Sequence, residues 1–156
     1  MKRFTSRMML AVLLMFACVG AVQAQSWTAE QSAVWKAVSA TWEKDAKQDS
    51  SWITNDTHPG VSAWSGDYPT PRGRDSILRW NKVNLQSQKM TDYDLSPGAI
   101  SIAGGAAIAH YYYSTASKNA DGKTEITHGR CSDTMVRENG RWLFLGWSCS
   151  DEPKRN

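Results

Sequence analysis

Residues 128–150 read HGRCSDTMVRENGRWLFLGWSCS, and this stretch decides the fold class. Glu138-Asn139-Gly140 separates two apolar-rich runs, and Asn-Gly is a favoured pair for a tight hairpin turn. The spacing predicts strands over 124–137 and 141–149, joined by that hairpin. In the second strand Trp142, Phe144 and Gly146 alternate with Leu143, Leu145 and Trp147, so both faces are largely apolar. A strand of this kind belongs in the middle of a sheet with both faces covered. Helices would cover one face. A second copy of the chain would cover the other, which predicts a homodimer.

Upstream the strand pattern continues. Met90–Leu95 is one run, Pro97-Gly98 is expected to interrupt it, and Ala99–Ala103 resumes. Gly104-Gly105 turns the chain into Ala106–Thr115, which contains His110-Tyr111-Tyr112-Tyr113, and Lys118–Lys123 reads as a loop. Before residue 88 the signals are helical. Thr28-Ala29-Glu30-Gln31 is a capping box, and Val34, Trp35, Val38, Thr41 and Trp42 recur at helical spacing. A first helix over Thr28–Lys47 follows, with a short helical turn over Asp49–Asn55. His58-Pro59-Gly60 breaks the chain, Val61–Trp64 reads as a short strand, and Gly66–Pro71 is a loop with two prolines. Gly73–Leu85 is a further helix. Asp75 near its start suits the helix dipole, and Ile77, Leu78 and Trp80 form its apolar side. Helices first and an antiparallel meander second give an α+β class, with helices packed on one face of a curved sheet.

The first 24 residues read as an export signal. Lys2, Arg3 and Arg7 precede an apolar run from Met8 to Val19, and Val22-Gln23-Ala24 offers small residues for cleavage before Gln25. The run falls short of the ~20 residues that span a bilayer, so a retained anchor is disfavoured. Lipidation at Cys18 fits poorly, because Phe16 is bulky where such sites take a small residue. The expectation is a cleaved signal over 1–24, one domain over 25–156, a periplasmic or secreted location, and no membrane contact after cleavage.

Charge excludes one class of partner. Three of the 18 Lys and Arg lie in the leader and all 15 acids lie after it, so residues 25–156 carry 15 of each sign. No basic stripe remains to follow a phosphate backbone, and no nucleic acid is expected. His58, His110 and His128 lack metal-ligand spacing, so neither a metal nor a cofactor is expected.

Cys131 and Cys149 remain after Cys18 leaves with the leader, and an oxidising compartment favours their pairing. Strand geometry resists it. A two-residue Asn139-Gly140 turn in a regular ladder puts them on opposite faces, and a three-residue turn leaves them diagonal. A disulfide therefore requires an irregularity in the ladder.

Several stretches together resemble the nuclear transport factor 2-like superfamily, in its SnoaL-like, ketosteroid-isomerase-like branch. They are Trp42-Glu43-Lys44-Asp45, Trp64 before the Pro-rich loop, the helix entry Pro71-Arg72-Gly73-Arg74-Asp75-Ser76-Ile77, and Ser132–Phe144 followed by Ser148. The resemblance covers essentially the whole of residues 25–156. It implies a cone: N-terminal helices closing over a strongly curved, mostly antiparallel sheet around an internal pocket. Isomerases, cyclases, dehydratases, accessory subunits and pure binders share that cone, so fold leaves function open. The isomerases' catalytic Asp would fall at Trp64 or Ser65, and their oxyanion-holding Tyr near Thr41 or Trp42, so neither group is present. Where many SnoaL-like members carry His on the last strand, this chain has Gly146, Trp147 and Ser148.

The candidate site residues follow from both readings. His110 is a candidate general base, or a satisfied core or interface histidine, and it shares a face with Tyr112 as a polar pair for gripping a ligand. Asp67 is the nearest carboxylate to the missing base. Asp133 matches an acidic position common in the family, or is a structural carboxylate bonded to Arg130, Arg137 or backbone. Trp42, Trp64 and Trp80 come from elements that the resemblance packs near the pocket, as ligand walls or as core. The functional expectation is an exported protein binding a small apolar or aromatic molecule. The alternatives are an isomerase, cyclase or dehydratase using His110 or Asp67 as base with Tyr112 as donor, and a protein-interaction module.

Overall fold

The computed structural model describes residues 26–65 and 69–152. The leader, Asp67 and the last four residues lie outside the described residues. Helix α1 (Ala29–Ala46) starts at the capping box: the Thr28 hydroxyl accepts from the Gln31 backbone, and the Gln31 side chain accepts from the Thr28 N–H. Its buried residues Val34, Val38 and Thr41 lie at helical spacing and face the sheet. Burying each valine contributes roughly 1.5–3 kcal/mol. Helix α2 (Ser51–Asn55), strand β1 (Ser62–Ser65), strand β2 (Arg72–Gly73) and helix α3 (Arg74–Ser87) follow. The long strands are β3 (Gln88–Ala103), β4 (Ala106–Asn119), β5 (Thr124–Glu138) and β6 (Arg141–Asp151).

One six-stranded sheet has the order β2-β1-β6-β5-β4-β3, antiparallel except where β1 runs parallel to β6. The architecture is α+β, a cone of helices on a curved and mostly antiparallel sheet. Bulges provide bends in that curvature. Thr91 and Gly98 are extra residues in β3 against β4, and Leu145 is extra in β6 against β5. Pro97-Gly98 therefore does not interrupt the strand, contrary to the sequence expectation. Strand β3 is an edge, where a proline's missing N–H leaves no ladder bond unmade, and the extra residue is absorbed as a bulge at Gly98.

The hairpin turn has two residues. Asn139 and Gly140 both take positive φ, at 50° and 78°, and Glu138 pairs with Arg141. The ladder then runs regularly to Met135 opposite Phe144, steps over Leu145, and resumes with Thr134 opposite Gly146. That step changes the parity of β6. Met135 with Phe144, Asp133 with Trp147 and Cys131 with Cys149 all share the inner face. The two-faced apolar character of residues 142–147 thus has a local cause. Trp147 turns inward with Phe144, so its position does not argue for a covered outer face. The irregularity that a Cys131–Cys149 bond requires is this bulge, and the two cysteines are joined.

Two groups of buried residues result. Val34 and Val38 pack on Ile100, Ala109, Tyr111, Met135 and Phe144, while Ile53, Val61, Ala63 and Ile77 form a smaller group under α2 and α3. Trp147 packs against both.

Candidate functional site

Between the helices and the inner sheet face lies a cavity of about 290 Å³. Its walls are aromatic: Trp42 from α1, Trp52 from α2, Trp80 from α3, and Phe144 and Trp147 from β6. Trp147 packs against Trp52 with ring centroids 5.8 Å apart and against Phe144 edge-on at 6.2 Å. Trp80 stands 44% exposed, with the Arg72 guanidinium 4.7 Å from its ring centroid.

The cavity carries two polar groupings. On one side the Asp45 carboxylate accepts from Trp52 Nε1 at 3.2 Å and from Asn81 Nδ2 at 2.8 Å. On the sheet, Trp42 Nε1 donates to the Tyr111 hydroxyl at 3.0 Å, and that hydroxyl hydrogen-bonds the Asp133 carboxyl. Asp133 is buried, and its Oδ2 has no hydrogen-bond partner. Burial pushes its pKa up to about 7, against the opposing pull of the Tyr111 hydrogen bond. Burial foremost, and then the adjacent Asp133 charge, push the Tyr111 phenol far above its ordinary range, so it stays a neutral donor. The result is a buried carboxyl held by a phenol that an indole in turn holds, with one oxygen that has no partner within the protein.

Trp42, Trp80 and Asp133 line this cavity, as does Cys149. Trp64 does not. Ala63 is the buried β1 residue that meets the cavity, and the strand's period of two turns Trp64 outward, 49% exposed. His110 and Tyr112 are corrected in the same way. Inner-face Ala109 and Tyr111 pair with Asp133 and Cys131, while His110 and Tyr112 pair with Ser132 and Arg130 on the outer face. There His110 Nδ1 is 2.8 Å from the Ser132 hydroxyl, and Tyr112 is 54% exposed. His110 is therefore no base for this cavity and Tyr112 no donor to it. In the tyrosine run the inward residue is the one between them, Tyr111. Asp133 contacts Tyr111, and not Arg130 or Arg137; Arg137 instead pairs with Glu30 at 3.0 Å.

Sequence reasoning missed Asp45, Trp52, Asn81, Tyr111 and Trp147. The signal for Tyr111 was present in the buried alternation Ala107, Ala109, Tyr111, whose small residues leave room under a helix. Trp147 carried none, because its side depends on the bulge at Leu145. Among the described residues, one cluster has metal-ligand types, Cys131, Asp133 and Cys149, and its two sulfurs are bonded to each other.

No family model matches the sequence, and no curated protein aligns with it significantly. Solved structures do match in shape. A ketosteroid isomerase-like protein from Erwinia carotovora atroseptica superposes with a TM-score of 0.72 at 12% identity, over 81% of this chain and 100% of that one. A nuclear transport factor 2-like superfamily protein from Salmonella enterica serovar Typhimurium gives 0.66 at 20% identity, over 81% and 93%. A protein of that fold from Rhodospirillum rubrum, described as of unknown function in nutrient uptake, gives 0.66 at 15% identity, over 77% and 98%. At these identities the likeness is one of fold, and the chain has the nuclear transport factor 2-like fold.

Proposed function

We propose that this chain, folded as a nuclear transport factor 2-like cone, is an exported protein that binds a small apolar or aromatic molecule in its tryptophan-walled cavity. One observation carries the reading: an aromatic-walled cavity ends on Asp133, whose Oδ2 has no partner within the protein. A buried oxygen without a partner costs free energy on the order of 1–3 kcal/mol. A ligand with a flat apolar body and one hydroxyl or N–H donor would complete it. The volume, about 290 Å³, sits at the low end of small-molecule sites, which run from roughly 300 to 1,000 Å³. The leader at residues 1–24 supports export.

A second reading, proton transfer of the isomerase type, is favoured by the same carboxyl. A base poised near neutrality beside a neutral phenol donor is what such chemistry needs. In that reading Asp133 is the base and Tyr111 the donor, in place of His110 and Tyr112.

The homodimer belongs to the proposal as well. Ile108 and Tyr112 stand exposed on the outer sheet face, 42% and 54%, with Val136, Leu143 and Leu145 half-buried. Light scattering at high concentration tests it, and a monomer would exclude it.

Native mass spectrometry of protein expressed with its leader and recovered outside the cytoplasm is the first test. A co-purified small mass, lost in Asp133→Asn, supports binding at this site. A mass beginning before Gln25 would argue against the export signal. Turnover of a bound ketone or enone, followed by solvent deuterium uptake, would favour the enzyme reading.

A further inference from the structure

We propose that the Cys131–Cys149 disulfide is a thiol-exchange centre reached through the cavity, with Asp133 as the group that moves its proton. The inference stands on the disulfide's position and does not depend on the identity of the bound molecule. Three observations carry it. Cys149 lines the cavity and is half-buried, whereas its cross-strand neighbour Cys131 is 3% exposed and does not line it, so a small reagent entering the cavity would reach Cys149 first. Asp133 follows Cys131 by two residues on the same face of β5, and its carboxyl oxygen lies within 4.8 Å of both sulfurs. The Asp133 Oδ2 has no partner within the protein although the residue is 2% exposed. A disulfide that only staples two strands needs no buried acid beside it, and one with an unsatisfied oxygen is unfavourable.

The chemistry uses each group once. A small thiolate RS⁻ attacks Cys149 Sγ, the R–S bond to Cys149 forms, and the Cys131–Cys149 bond breaks. Cys131 leaves with the electron pair. A thiolate at its depth is poorly solvated, so it takes the proton of the Asp133 carboxylic acid, which becomes carboxylate. Breaking the bond frees each sulfur to rotate about its Cα–Cβ bond toward that carboxyl. A second thiolate attacks the R sulfur and releases RSSR, and Cys149 leaves as thiolate. The two protons lost by the incoming thiols reprotonate Cys149 and Asp133. The net reaction is protein disulfide plus 2 RSH giving protein dithiol plus RSSR. The thiol is the co-reactant, a small aromatic or aliphatic one by the cavity's size and walls.

The chain from Gln25, freed of its leader and Cys18 and purified oxidised, tests this by native incubation with benzyl mercaptan or with a cysteine-bearing peptide too large for the cavity. N-ethylmaleimide quenching and intact mass count the thiols. Rates are expressed relative to those on the chain unfolded in denaturant, which removes intrinsic thiol reactivity. The expected result is two maleimides on the native chain with benzyl mercaptan, at a relative rate about tenfold or more above the peptide's. A fall of about tenfold or more in folded Asp133→Asn is also expected. Equal relative rates for the two thiols, or an unchanged rate in folded Asp133→Asn, would overturn the proposal. If Asp133→Asn does not fold, sub-denaturing urea on the wild-type chain decides. A rate that urea leaves unchanged supports entry through the cavity, and a rate that rises with global unfolding overturns it.

Discussion

Cys131 lies directly opposite Cys149 across β5 and β6, and it does so because Leu145 is an unpaired residue between them and the turn. The bulge turns Trp147 and Cys149 to the side already occupied by Phe144 and Met135. Replacing both cysteines by Ala should cost about 2–4 kcal/mol of unfolding free energy, the range for a bond closing a short loop. Urea denaturation measures it. Deleting Leu145 alone should keep the same inner residues facing each other. The deletion variant should still show no free thiols on alkylation after unfolding.

Tyr111→Phe should destabilise the fold by roughly 1–3 kcal/mol, since it leaves Trp42 Nε1 without its acceptor and removes the one donor to Asp133. Denaturant unfolding followed by tryptophan emission would measure this. A neutral substitution would mean that water replaces the phenol at both groups.

The pH dependence of stability follows from Asp133. Its carboxyl has a pKa of about 7 when folded, against 3.8 as its reference. Between those values the folded state holds a proton that the unfolded chain releases, so stability should fall as pH rises from about 4 through 7. The span amounts to a few kcal/mol, on the order of 1.4 per pKa unit. Asp133→Asn should flatten that slope and gain relative stability above pH 7. Melting temperatures of both proteins from pH 4 to pH 8 would show it; parallel curves would contradict it.

Binding experiments should separate the two sheet faces. Trp147→Ala or Trp42→Ala should weaken capture of an aromatic ligand by about tenfold or more, through lost stacking and area. His110→Ala and Tyr112→Phe, on the outer face, should leave it unchanged. Fluorescence titration reads both, and an effect of His110→Ala on affinity would place the ligand elsewhere.

Gly146→Ala should cost roughly 1–3 kcal/mol. A Cβ at Gly146 would stand 2.5 Å from the Ser62 carbonyl oxygen of β1, backbone against backbone, so the junction of β1 with β6 has to open. Thermal unfolding compared with Gly105→Ala, where a Cβ meets nothing, isolates that contact.

The architecture was legible because it rests on local signals. The Thr28–Gln31 capping box, the helical spacing of Val34, Val38 and Thr41, and the Asn139-Gly140 turn each act within a few residues, where propensity and hydrogen-bond geometry operate. Their order in the chain implied an α+β class. The site was less legible because a strand's faces are set by parity, and parity is not local. One unpaired residue at Leu145 reversed which side of β6 is inside, and Thr91 and Gly98 bent β3 in the same manner. The sequence by reading alone could nominate Trp42, Trp80 and Asp133, but it assigned His110 and Tyr112 to the face that belongs to Tyr111. Whether a tyrosine run offers one hydroxyl or its neighbour to a cavity depends on the register between β4 and β5. That register is settled only when the helices, the bulges and the Cys131–Cys149 bond pack together, since a shift of one residue would exchange every buried side chain for an exposed one.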